Sequence, residues 1–408
     1  MPILAVVLPI LLAAAIYGGL RMGILLDLAR RPLAVTGVAL AVGVIWRFAG
    51  LPQPPDQIVR ILVQALLGTL VFGAALECRL SRLWHISPDA FRLAAGASML
   101  TMLGVAATAF VFVPGLGLYP PLLIGAALML GGAPMLAGQL LSAPVDDHTR
   151  TAARVEAAAV LAIGVPIAIM IGAGAKPTLG AGSIFAWATI KALLGFGLGG
   201  LAGLLAPRFI KVGDGELPLG PLMLAAGVYF LAVLLRVDPV MAMAGAGLTF
   251  SAGAHIPAAT RTRYWRTGEL VLGAPALILF GLFVAPMAVT FDFLVWFMAF
   301  VAVGLVRALA RHLILSTSHL PIADRTFLIW FNGAPGVASA LMLSLYVTGQ
   351  APIDERGVAL AAAAILIGLV SARSISKPLT RRLIQQTALA KKQRYETSYS
   401  VFNHRAAS

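Results

Sequence analysis

Acidic residues are scarce in this sequence, 16 Asp and Glu against 30 Lys and Arg, so each one in an apolar stretch is a candidate for ion or proton chemistry. Glu156 opens a long apolar run, Glu77 closes another beside Cys78 and Arg79, and Asp238 directly precedes Pro239. A carboxylate withdrawn from water can hold either a proton or a cation, and burial sets which of them wins. Plainer readings compete in each case. Glu156 is either an ion-binding carboxylate or an interfacial residue paired with Arg154, Arg150 or another basic group. Glu77 reads as an interfacial ion pair, and Asp238 as the cap of the helix that follows it. Arg307 and Lys191 lie inside apolar runs, where a charge has to find a partner or reach the interface. For Arg307, contact with a substrate anion and pairing with a structural group or backbone carbonyl are both open.

Other chemistries find no support. The six histidines (His85, His148, His255, His312, His319 and His404) fall in or beside polar loops without metal-ligand spacing. Cys78 is the single cysteine, which excludes an intramolecular disulfide. There is no phosphate-binding glycine loop and no nucleophile–base pairing, so neither an enzyme nor a cofactor or metal site is expected.

The elements that would position these residues are membrane helices. Hydrophobic residues make up 60% of the chain and charged ones 11%; soluble globular proteins carry about 25% charged residues. A bilayer-spanning helix needs roughly 20 apolar residues. Blocks of that length predict about thirteen spans, at roughly 3–20, 33–50, 58–77, 90–113, 119–141, 151–173, 182–206, 218–236, 239–254, 268–290, 292–315, 325–347 and 357–376. No Lys or Arg precedes Arg21, so the first block reads as a retained helix rather than a signal peptide. Residues 1–380 form one transmembrane domain in this reading. The stretch 381–408, with Lys391, Lys392 and Arg394, is a basic cytoplasmic tail.

The basic residues orient the chain. Arg30, Arg31, Arg79, Arg82, Arg150, Arg208, Lys211, Arg261, Arg263, Arg266, Arg311 and Arg325 fall on one set of alternate loops, with the tail. Little beyond Arg47, Arg60, Lys176, Arg236 and Arg356 falls on the other. The chain is therefore expected as a multi-pass protein of the inner (plasma) membrane, N-terminus outside and C-terminus cytoplasmic. The net charge of +14 faces the cytoplasm and anionic lipid headgroups, not nucleic acid.

Two helix breaks mark where a transport site would lie. The fifth span contains Gly131-Gly132-Ala133-Pro134, and the twelfth Asn332-Gly333-Ala334-Pro335-Gly336. Inverted-repeat transporters place such breaks at corresponding positions in their two halves, and free backbone groups and opposed helix ends then meet near the midplane.

From about residue 60 to 376 the sequence resembles the monovalent cation/proton antiporters, in the sodium/proton exchanger branch. The resemblance rests on Val71-Phe72-Gly73-Ala74-Ala75-Leu76-Glu77-Cys78-Arg79-Leu80, on Gly125 to Pro134, on Arg154-Val155-Glu156 through Gly164-Val165-Pro166-Ile167, and on Trp330 to Leu341. It implies an all-α inverted-repeat antiporter fold with two crossing broken helices. It also implies a homodimer in a lipid bilayer, with monovalent cations and protons as transported species.

The departures fall on the chemistry. Where the family has Thr-Asp-Pro in its first broken helix, this chain has Gly132-Ala133-Pro134. The family's Asn-Asp aligns with Ala162-Ile163, its third-helix acid with Gly73, and the Arg of its second broken helix with Pro335. Glu156, roughly two turns before Ile163, falls where the family carries a glutamate ahead of its ion-site Asp. Gly132, Ala133, Pro134, Glu156, Ala162, Ile163, Asn332, Gly333 and Pro335 thus delimit the expected ion or substrate region. Two functions follow as expectations. In one, exchange is altered or lost and the fold serves as a pseudo-transporter or a subunit for a membrane or cytoplasmic protein partner. In the other, the chain is an active sodium or potassium/proton antiporter using a non-standard site such as Glu156.

Overall fold

The computed structural model describes residues 32–78, 88–113, 117–131, 147–174, 181–210, 219–254, 256, 273–289, 293–331, 335–349, 351–371, 381 and 385. The expected first span and the tail beyond 385 lie outside the described residues. Within them the chain runs as helices α1 (Pro32–Phe48), α2 (Asp56–Glu77), α3 (Pro88–Phe112), α4 (Tyr119–Met129), α5 (Asp147–Gly174), α6 (Ala181–Leu205), α7 (Leu219–Leu234) and α8 (Pro239–Gly253). These are followed by α9 (Gly273–Phe283, extended by Ala285–Val289), α10 (Phe293–Leu315), α11 (Ile322–Phe331), α12 (Val337–Thr348) and α13 (355–371). Among the described residues, α2, α3, α10 and the apolar parts of α5 and α6 are long and apolar enough to cross a membrane.

The helix starts follow ordinary chemistry. Pro32 and Pro239 occupy first-turn positions, where the missing N–H leaves no bond unmade. Asp238 caps α8 as expected, its carboxylate accepting from the Met241 amide at 2.8 Å.

The helices sort into two packed groups. In the first, α6 lies against α8, and α8 against α2 and α7. Its core holds Phe72, Leu76, Val228, Met243 and Phe250. The close approach of α6 and α8 depends on small residues: a Cβ on Gly199 would sit 1.7 Å from the Ala242 carbonyl oxygen. The glycine-rich seventh span is therefore a full helix whose glycines admit a neighbour. In the second group, α3, α4, α5, α10, α11 and α12 pack together. The groups meet where α2 touches α5 and α12, and where α5 touches α6.

Both expected breaks interrupt their helices. The fifth span stops at Met129, with Leu130 extended (φ −68°, ψ 112°), and residues 132–146 lie outside the described residues. The twelfth is not one helix but two, α11 ending at Phe331 and α12 beginning at Val337 after the extended Gly336 (φ −143°, ψ −146°). Gly131 and Pro335 form an antiparallel backbone bridge, so the two breaks touch as the inverted-repeat reading requires.

Two wide π-helical stretches, Arg92–Ala97 in α3 and Val301–Val306 in α10, interrupt otherwise regular helices. Each ends immediately before residues that line the cavity described next. Such insertions re-aim the side chains that follow and recur at functional sites.

Candidate functional site

A helix that ends inside a membrane leaves carbonyl groups without partners, and hydrocarbon supplies none. Here the first break is satisfied from two sides. Arg307 of α10 donates from Nη1 to the Leu128 carbonyl at 2.9 Å, and Ser339 of α12 donates from Oγ to the Leu130 carbonyl at 2.6 Å. α13 closes on the second break so tightly that a Cβ on Gly368 would lie 2.6 Å from the Pro335 oxygen. Tyr346 ties α12 to α5 by donating to the Ala168 carbonyl at 2.5 Å.

Among the described residues, the positions expected to correspond to the family's ion ligands, Gly73, Ala162, Ile163 and Pro335, carry no charge. Ala162 is buried, among the apolar side chains of the central core. Ile163, one residue on, turns outward and is 61% exposed. Pro335 lies in the backbone bridge, and Gly73 is buried within α2. Pro166 has no N–H to offer the Ala162 carbonyl, so a backbone oxygen is available beside these positions, without a negative charge. Gly132, Ala133, Pro134, Asn332 and Gly333 lie outside the described residues.

Glu156 is placed differently from expectation. It is paired with Arg311, one of the other basic residues of the expected cytoplasmic set, but it is buried rather than interfacial, at 3% exposure. Arg311 also departs from its expected place among the cytoplasmic loops. It is buried inside α10 and donates from Nη1 to the Leu328 carbonyl of α11 at 2.5 Å. The expected structural role of Arg307 is met by its bond to Leu128. Lys191 belongs to α6, with its ammonium over the Trp187 ring at 5.5 Å. Glu77 is half-buried at the end of α2, and Arg79 lies outside the described residues.

Glu156, Arg307 and Arg311 line one small cavity of about 10 Å³, together with Ser98, Thr101 and Gly131. Arg311 and Ser98 are residues that sequence reasoning did not bring to the site. The four-residue spacing of Arg307 and Arg311 puts them on one helix face, a signal the sequence carried. The π-helical turns that aim α3 and α10 at the cavity left no such trace.

The sequence profile of the transmembrane sodium/hydrogen exchangers matches residues 10–382. The chain belongs to the sodium/hydrogen exchanger family. Its fold is similar to that of the sodium proton antiporter MjNhaP1 from Methanocaldococcus jannaschii at pH 8. That match has a TM-score of 0.66 and 16% identity, and covers 92% of this chain and 99% of MjNhaP1. A structure of the same antiporter from an electron microscopy map matches with TM-score 0.64 and 14% identity, over 92% and 97% of the two chains. At that identity the likeness concerns the fold. No curated protein sequence matches this family member at a comparable level. It is a polytopic helical membrane protein of a transporter family.

Proposed function

We propose that this member of the sodium/hydrogen exchanger family keeps the antiporter scaffold but has altered or lost sodium/proton exchange at the crossing. The observation that carries the proposal is the exposed Ile163 where the family's ion-site Asp aligns, beside Ala162 in place of its Asn. A hard monovalent cation needs several oxygen ligands, and competition with protons needs a titratable carboxylate among them. Backbone carbonyls alone supply the first requirement weakly and the second not at all. In this reading the protein is a multi-pass component of the inner membrane, N-terminus outside and C-terminus cytoplasmic. Residues 1–380 form its transmembrane domain and 381–408 its basic tail. It forms a homodimer and acts as a pseudo-transporter or as a subunit for a membrane or cytoplasmic protein. The site region is the one delimited by Gly132, Ala133, Pro134, Glu156, Ala162, Ile163, Asn332, Gly333 and Pro335.

A second reading is favoured by one feature of Glu156. Its Oε2 is buried without a hydrogen-bond partner, as expected of a carboxylate that takes up a proton or cation. The chain would then be an active sodium or potassium/proton antiporter with a displaced site. Reconstitution into liposomes with an imposed pH gradient and a trapped pH-sensitive dye separates the two. The first reading expects no gradient collapse on adding sodium or potassium. Collapse that disappears in Glu156→Gln overturns it in favour of the second.

A further inference from the structure

The cavity between α3, α4, α5 and α10 holds an unbalanced charge. Among the described residues, Arg307 and Arg311 face a single carboxylate, Glu156, which pairs with Arg311. Among the described residues Arg307 has no acidic partner: its contact is the neutral Leu128 carbonyl. Arg307 is 6% exposed, within a helix long and apolar enough to cross the membrane. Such a guanidinium attracts an anion, and an anion that enters together with a proton adds no net charge to the membrane interior. A second and independent feature also points to a ligand. Oε2 of Glu156, lining the same cavity, has no hydrogen-bond partner and can accept only from something that brings a hydrogen. Ser98 and Thr101 add hydroxyl groups; Thr101 directs its proton to the Ala97 carbonyl at 2.6 Å.

The groups that could set the response to pH are few. α4 contributes no charged side chain, and α3 carries Asp89 and the exposed Arg92 near its start, away from the cavity lining. α11 brings the buried Asp324, one turn before the Leu328 carbonyl that receives Arg311. His312 of α10 is exposed. Glu156 is the acid that faces the cavity itself.

We propose that this cavity binds a small inorganic anion together with a proton, the anion against the Arg307 guanidinium and the Ser98 hydroxyl, the proton on Oε2 of Glu156. The proton comes from solution and leaves with the anion, so occupancy changes the site by one neutral acid equivalent and leaves its formal charge unchanged. With about 10 Å³, the cavity admits roughly one water-sized species. The halides are the fitting class, fluoride matching a water in size and chloride somewhat exceeding it, and a bulky organic anion such as gluconate is the contrast. This site shares Glu156 and Gly131 with the crossing, and its test adds the same sodium in every arm, so that only the anion differs.

The full-length protein, purified in detergent at low buffering with a pH-indicator dye, is titrated with sodium fluoride or sodium chloride and, in parallel, with sodium gluconate. Saturable proton uptake is expected with the halides and not with gluconate. Where Glu156 is ionised in the anion-free protein, the apparent Kd for halide rises about tenfold per pH unit, as co-binding of one proton requires. Glu156→Gln abolishes the proton uptake and flattens that pH dependence while halide still stabilises the protein against heat. Arg307→Met weakens halide binding at least tenfold, and Arg307→Lys, which keeps the charge, recovers part of it should the Met variant fail to fold. Absence of halide-dependent proton uptake in the unmodified protein overturns the proposal. So does an unchanged halide affinity in Arg307→Met or, if that variant does not fold, in Ser98→Ala together with Arg307→Lys.

Discussion

Replacing Arg311 with methionine keeps most of the side chain's length and removes its charge, and the structure fixes what is left behind. Glu156, 3% exposed and already lacking a partner at Oε2, loses the Arg311 guanidinium at Oε1, and the Leu328 carbonyl loses the Arg311 donor. Stripping one member from a buried ion pair costs about 3–5 kcal/mol, because the surviving charge has no solvent to return to. Glu156→Gln inverts the imbalance and leaves Arg311 uncompensated, with a cost of the same order. The double variant has no stranded charge, so it is expected to lose about 2–3 kcal/mol less than the two single losses together, at the upper end of pairwise couplings. Reversible unfolding in mixed micelles, followed by tryptophan fluorescence, measures all four proteins. Losses that add to within about 0.5 kcal/mol would refute the reasoning, since they would mean that Glu156 and Arg311 do not hold each other in the buried state.

Other outcomes follow from single contacts. Gly199→Leu separates α6 from α8, because its Cβ meets the Ala242 carbonyl at 1.7 Å, whereas Gly197→Ala, which faces open space, is neutral or raises helix stability by up to about 1 kcal/mol; thermal unfolding in detergent orders the two. Asp238→Ala removes the cap on the Met241 amide and costs about 1 kcal/mol in the same assay, with Asp238→Ser recovering most of it. Ser339→Ala strips the donor from the Leu130 carbonyl and costs about 1–3 kcal/mol, read as faster hydrogen exchange at the backbone around Gly131 and Pro335. The double substitution Ala162→Asn and Ile163→Asp returns the family's ligands to α5, and sodium-dependent proton movement in liposomes is the expected gain; none would mean that the scaffold has diverged beyond these two residues.

The fold was legible because its signals are long. Apart from the two broken spans, apolar blocks of membrane length gave helix positions that most described elements reproduce within a few residues, down to the short α8 with its Asp238 cap. The paired Gly-Ala-Pro breaks were legible because glycine and proline act on the backbone directly, and the Gly131–Pro335 bridge is their consequence. The partners of the charges were less so. Counting Arg311 as a loop residue followed from its place near the end of a span, yet the tilt and register of α10 carry it inward to Glu156 from 155 positions away in sequence. Such a pairing depends on packing between helices, for which hydropathy holds no information. The π-helical turns that rotate α3 and α10 toward the cavity are equally silent, since Arg92–Ala97 and Val301–Val306 have ordinary helical composition.

The apolar crossing and the charged cavity are two sides of one redistribution. A broken membrane helix is unstable unless something satisfies its freed backbone groups. In this chain Gly131 and Pro335 pair through the backbone, Ser339 bonds the Leu130 carbonyl, and Arg307 reaches the Leu128 carbonyl from α10. Helix dipoles explain why a cation suits that end: the C-terminal turn of α4 carries partial negative charge. An Arg there can stabilise the break without an ion bound at the crossing, which removes the structural reason to keep an Asp at position 163. It also leaves a positive charge that the dipole compensates only by half, next to Arg311 and to a carboxylate oxygen with nothing to accept from. The proposed loss of exchange at the crossing and the proposed anion site beside it would then share one cause, the place of Arg307 on α10.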